Sequence, residues 1–215
     1  MTRRQGLILT AQLTVLSIAM IAAALMSDAR DWQPIELVGL LFVLAVGSDW
    51  LTVEIRGVWI SGSFVALVLA MALLGPLPAA VIGVGCTLVD VARFPRSWDR
   101  TVQNIVTYAT FPVFGAIAIQ LLGGDIAPGE TNGFGFAAIV LAVFMVTNFV
   151  NFAMIAVFQD IALGVPFMRN LRSVWLTVQP TQLATGLLTA GVAYSYSQIG
   201  VGAVGLPPVR EVAAR

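Results

Sequence analysis

From Phe134 to Phe158 the chain runs without a charged residue, and comparable apolar stretches recur along most of its length. In hydrocarbon no water competes for backbone amides, so every N–H and C=O must bond within its own helix or within a closed barrel. Of 215 residues 59% are hydrophobic and 10% charged, and the mean hydropathy is +0.93. Together these imply an all-α integral membrane protein, a single domain of about seven (six to eight) transmembrane helices.

The spans fall at about 6–26, 35–47, 64–74, 77–92, 102–122, 134–158 and 175–199, followed by 201–215 as a linker or a truncated last span. The first could be a secretory signal, but its apolar run is too long and "AAALMSDAR" is only a loose cleavage site, so an uncleaved helix is the favoured reading. Between the second and third, "LTVEIRGVWISGSF" alternates Leu51, Val53 and Ile55 with Thr52, Glu54 and Arg56. That is strand periodicity, and an open strand cannot lie in lipid, so a short hairpin-like segment near 51–61 is expected at the surface or folded over the bundle. "GPLP" closes the third and fourth spans into a helical hairpin, and "QDIALGVPFMRNLRS" reads as a polar connection.

All eleven basic residues are arginines. With an N-terminus in the cytoplasm, Arg3, Arg4, Arg56, Arg93, Arg96, Arg100, Arg169 and Arg172 lie inside and Arg30, Arg210 and Arg215 outside, the asymmetry expected of a multi-pass membrane protein in that orientation. Seven crossings then leave the C-terminus outside, unless "VGAVGLPPV" begins an eighth or one short span is re-entrant. A net charge of zero offers no surface for nucleic acid. The absence of histidine removes histidine-based general bases and the common zinc, haem and copper sites, and no cofactor or metal is expected. Cys86, the only cysteine, reads as a small apolar packer, and Ser61 and Ser63 as turn residues.

Gly75, Ala79, Gly83 and Thr87 recur every four residues, a stripe that lets another backbone approach closely. Asp90 lies within a turn of Arg93 and near Arg96 and Arg100; pairing at the interface is the simpler reading and a ligand or ion role the sharper one. Three polar clusters fall at membrane depth: Asn104, Thr107 and Tyr108 ahead of Pro112; Thr147, Asn148 and Asn151; and Gln179, Thr181, Gln182 and Thr185 around Pro180. Amides in lipid need partners, so these clusters should face the interior. They either bond helices together or line a pocket for a small hydrophobic or neutral-polar ligand, with Asn104, Thr107, Tyr108, Asn148, Asn151, Gln179 and Gln182 as its candidate residues. No paired acids share a helix face and no serine has a histidine to activate it, so the chain is read as non-enzymatic.

"ISGSFVALVLAMALLGPLPAAVIGVGCTLVD", with "RTVQNIVTYATFPVFGAIAIQLLGG" behind it, resembles the N-terminal membrane module of bacterial HD-GYP and GGDEF signalling proteins. That module is itself similar to the S components of energy-coupling-factor vitamin transporters. The resemblance covers roughly Leu51 to Gly124, with Asn104 its most distinctive polar match. It implies a multi-helix sensor that controls a cytoplasmic cyclic-dinucleotide enzyme, although neither a GGDEF nor an HD domain is present here. The alternatives are a substrate-binding subunit for uptake of a vitamin-like molecule and a structural or assembly protein. The bilayer, a small ligand and a second copy of the chain are the partners implied.

Overall fold

The computed structural model describes residues 3–50, 53–55, 58–60, 62–95, 97–123 and 133–199. Helices are α1 (Arg3–Met26), α2 (Ile35–Trp50), α3 (Ser63–Leu73), α4 (Pro76–Arg93), α5 (Trp98–Gly123), α6 (Gly133–Leu163), α7 (Phe167–Asn170) and α8 (Leu176–Ile199). Two three-residue strands, β1 (Val53–Ile55) and β2 (Val58–Ile60), pair antiparallel with Glu54 opposite Trp59. α1, α2, α4, α5 and α6 run past the spans read from sequence, because polar residues beyond the apolar run continue the helical hydrogen-bond ladder. The stretch after Phe158 is not a simple connection: α6 continues to Leu163, and α7 leads through a π-helical turn, Leu171–Trp175, into α8.

Residue contacts fix the direction of each helix. Late α1, early α4 and late α5 meet where Ala19, Ala23, Ala80 and Val113 cluster. Late α2 lies beside the start of α3, since a Cβ on Gly62 would touch Ser48. Gln103 of early α5 reaches the Met154 carbonyl of late α6, and Asn148 of α6 bonds Gln182 of α8. The seven principal helices therefore alternate up and down. Arg93, Arg100, Arg169 and Arg172 gather at one end together with the start of α1, whereas Arg30 sits at the other.

By length and composition, four helical stretches can cross a membrane: Gly6–Met26, Pro76–Arg93, Trp98–Gly123 and Gly133–Ile161. α3, with 11 residues, is about 16 Å long, roughly half of a hydrocarbon core of about 30 Å. Yet α3 is the centre of the fold. Every residue from Ser63 to Ala72 except Val65 is buried, and α2, α4, α5, α6 and α8 pack around it. Phe64 stacks on Phe111 of α5 and meets Phe144 of α6 edge-on, both with ring centroids 5.1 Å apart. A helix that is apolar on all sides must be surrounded by protein or by lipid, and α3, too short to span a bilayer, is surrounded by protein. The outer faces of the bundle carry Leu7, Ile18 and Leu25 of α1, Val146 of α6 and Leu188 of α8.

The turn between α3 and α4 forms because Gly75 takes φ +94°, which a Cβ disfavours, and Pro76 starts the next helix where its missing N–H costs nothing. Gly75 is thus the N-cap of α4 rather than the top of a helical stripe; it lies against Asp31 and Gln120. Ser27 accepts from the Leu77 amide at 3.2 Å, tying the end of α1 to this turn. Ala79, Gly83 and Thr87 are buried on α4, and a methyl group added at Gly83 would run into the Tyr108 carbonyl oxygen of α5. That stripe is the seam of the fold.

Gly83→Ala should therefore cost about 1–3 kcal/mol of stability, because the obstacle is backbone and cannot rotate away. Gly47→Ala, where a Cβ meets nothing within 4 Å, should be neutral or stabilise by up to about 1 kcal/mol. Reversible unfolding in mixed micelles compares the two, and equal effects would contradict the seam.

Candidate functional site

Two polar regions lie inside the bundle toward the arginine-bearing end. The first is the crossing of α5 with α6 and α8. Gln103 is only 2% exposed; its Nε2 donates to Thr107 Oγ1 at 3.1 Å and to the Met154 carbonyl at 3.3 Å. Its Oε1 is buried with no hydrogen-bond partner, and the same holds for Asn151 Oδ1. Asn148 Nδ2 donates to Gln182 Oε1 at 2.9 Å, a bond between α6 and α8. Of the residues singled out from sequence, Thr107 is fully buried beside Gln103, Asn104 and Asn151 are half-buried, and Gln179 turns back onto its own helix, donating to the Trp175 carbonyl. The amides thus divide between interhelical bonds and atoms left over.

The second region joins α2, α3, α4 and α5. The Cys86 thiol donates to Asp49 Oδ2 at 2.8 Å, so this cysteine is a hydrogen-bond donor as well as a packer. Tyr108 and Ser63 share a hydrogen bond, which makes Ser63 a buried first residue of α3 and not a turn residue. Tyr108 also meets Phe111 edge-on. Asp90 lies one turn below Cys86, and both Asp49 and Asp90 are engaged. The Arg93 guanidinium lies 5.0 Å over the rings of Trp50 and Phe94, a cation–π contact at the end of the bundle. Arg100 is exposed on the first turn of α5, and Arg96 lies outside the described residues, as do Ser61, Arg56 and 200–215.

Gln103 is not among the residues singled out from sequence, although it lies one turn before Thr107 and bonds to it. Nor is Asp49, which reads as a residue just past a span. The π-helical turn had no signal beyond its polar composition. There Asp160 accepts from the Phe167 amide at 3.0 Å, Asn170 donates to Gln159 at 3.0 Å, and Trp175 packs on Phe149 and Phe152. Among the described residues no group of three His, Cys, Asp or Glu side chains could hold a metal ion. Compared with protein-family models, curated proteins and solved structures, the chain finds no match.

If the Asn148–Gln182 bond holds α6 to α8, a double-mutant cycle with Asn148→Leu and Gln182→Leu should return a coupling of about 0.6 kcal/mol, and no more than about 1.7. A coupling of zero would mean that the two amides only share a neighbourhood.

Proposed function

We propose that this chain is the membrane-embedded, ligand-binding sensory domain of a bacterial signalling protein, set in the inner membrane with its N-terminus in the cytoplasm and acting on a cyclic-dinucleotide enzyme. The observation that carries the reading is the pair of buried, unpartnered amide oxygens on Gln103 and Asn151. A packed membrane interior tolerates such atoms poorly, and a bound molecule that donates to them would satisfy them. The gathering of arginines at one end supports the orientation, and the alternation of seven helices supports seven traverses, with α3 as a half-length one. In that orientation Ile199 ends on the far side. A cytoplasmic output domain in the same polypeptide would require one more crossing.

The uptake reading has its own supporting observation: a short buried helix, α3, preceded by a paired extended segment. Affinity purification from native membranes separates the two. Recovery of a cyclic-dinucleotide synthase or hydrolase, in the same polypeptide or bound to it, supports sensing; recovery of an ATPase-linked module would overturn it in favour of uptake. The chain itself is proposed to carry no catalysis.

Orientation is checked by labelling in a Cys86→Ser background, where the hydroxyl keeps a donor for Asp49. With a membrane-impermeant maleimide applied to intact cells, Arg30→Cys should react and Ser173→Cys should not. The opposite pattern would invert the protein.

A further inference from the structure

We infer that the crossing of α5 and α6 binds a small uncharged organic molecule that presents N–H or O–H donors; this rests on the sensory reading and gives its ligand a chemical class. Every buried side-chain polar atom without a partner among the described residues is an amide oxygen: Gln12 Oε1, Gln103 Oε1, Gln120 Oε1 and Asn151 Oδ1. No nitrogen is stranded with them. An acceptor-only deficit calls for a ligand that donates.

Three of the four lie at one depth. Gln103 of α5 reaches the carbonyl of Met154, one turn beyond Asn151 on α6. Gln12 falls on the same inward stripe of α1 as Ala19 and Ala23. Ala19 clusters with Val113 of α5, and α1 runs parallel to α5, so counting back two turns from each places Gln12 level with Val106. Gln103 sits on α5 between the face that meets α1, with Val113, and the face that meets α6, with Gly115. Its amide cannot be reversed to relieve Oε1, because Nε2 already faces the Met154 carbonyl, which only accepts.

Charge narrows the class. No charged residue occurs from Gly6 to Met26, from Thr101 to Gly123 or from Gly133 to Gln159, and the carboxylates of Asp49 and Asp90 on α2 and α4 are already engaged, so an ion lodged between α1, α5 and α6 would find no countercharge on those helices. A single water offers two hydrogens, so three acceptors would take at least two waters, which would leave the protein without an organic adduct. An uncharged molecule with several donors meets the deficit.

Native mass spectrometry of the full chain released from nanodiscs tests this. Wild-type protein should carry a small neutral adduct. Gln103→Met, which keeps the side-chain length, and Asn151→Leu should each lower its occupancy at least about ten-fold, while Asn148→Leu, whose amide serves a helix pair, should retain it. An adduct that is ionic, or that persists in the Gln103→Met/Asn151→Leu double variant, would overturn the donor-ligand assignment and leave the sensory reading standing. Wild-type protein at its bare mass would overturn both. Should the apolar variants fail to fold, isotope-edited infrared spectroscopy on wild-type protein decides: the glutamine side-chain carbonyl band should move to higher frequency when detergent exchange strips the adduct, and an unmoved band would refute the assignment.

Discussion

The fold depends on the approach of α4 to α5 at Gly83. Pro112 has no N–H to give, so the Tyr108 carbonyl four residues earlier lacks its helical donor. In lipid such a group needs another partner. Gly83 presents its bare Cα to that oxygen, close enough that no side chain fits between them. A Cα–H···O contact contributes only about 0.5–1 kcal/mol, but its geometric effect is larger. It fixes the distance between the two helices, and the side chains of Tyr108 and Phe111 are thereby set around the start of α3.

The short central helix follows from that setting. α3 fills the middle of the bundle over about half of its depth, held by Phe64 between Phe111 and Phe144. Below its first residue the surrounding helices continue, and there the polar side chains collect: Ser63 with Tyr108, Cys86 with Asp49, and the amides of α5, α6 and α8. The half-length helix thus leaves a polar region of the interior below it. That polar region faces the arginine-bearing end.

Much of this architecture was legible in the sequence. Uncharged apolar runs required helices, the alternation around Val53 marked the extended pair, and the four-residue spacing of Ala79, Gly83 and Thr87 marked the seam. Pro112 announced a freed carbonyl, although nothing in the chain said that Gly83 would meet it. The site was harder to read. One-dimensional spacing shows that Asn148, Gln179 and Gln182 are polar groups at membrane depth, but whether an amide bonds across helices, turns back on its own carbonyls or is left over depends on neighbours far away in sequence. Gln179 and Gln182 lie one turn apart and have different fates for that reason. Cys86 shows the same limit, since its partner Asp49 lies on another helix.

The most direct measurement of the central contact is a magic-angle-spinning NMR carbon–carbon correlation in lipid, with ¹³C placed at Gly83 Cα and at the Tyr108 carbonyl. The account predicts a strong short-mixing cross-peak between them. Absence of that peak, in a sample where Gly85 still correlates with the Phe42 ring, would contradict it.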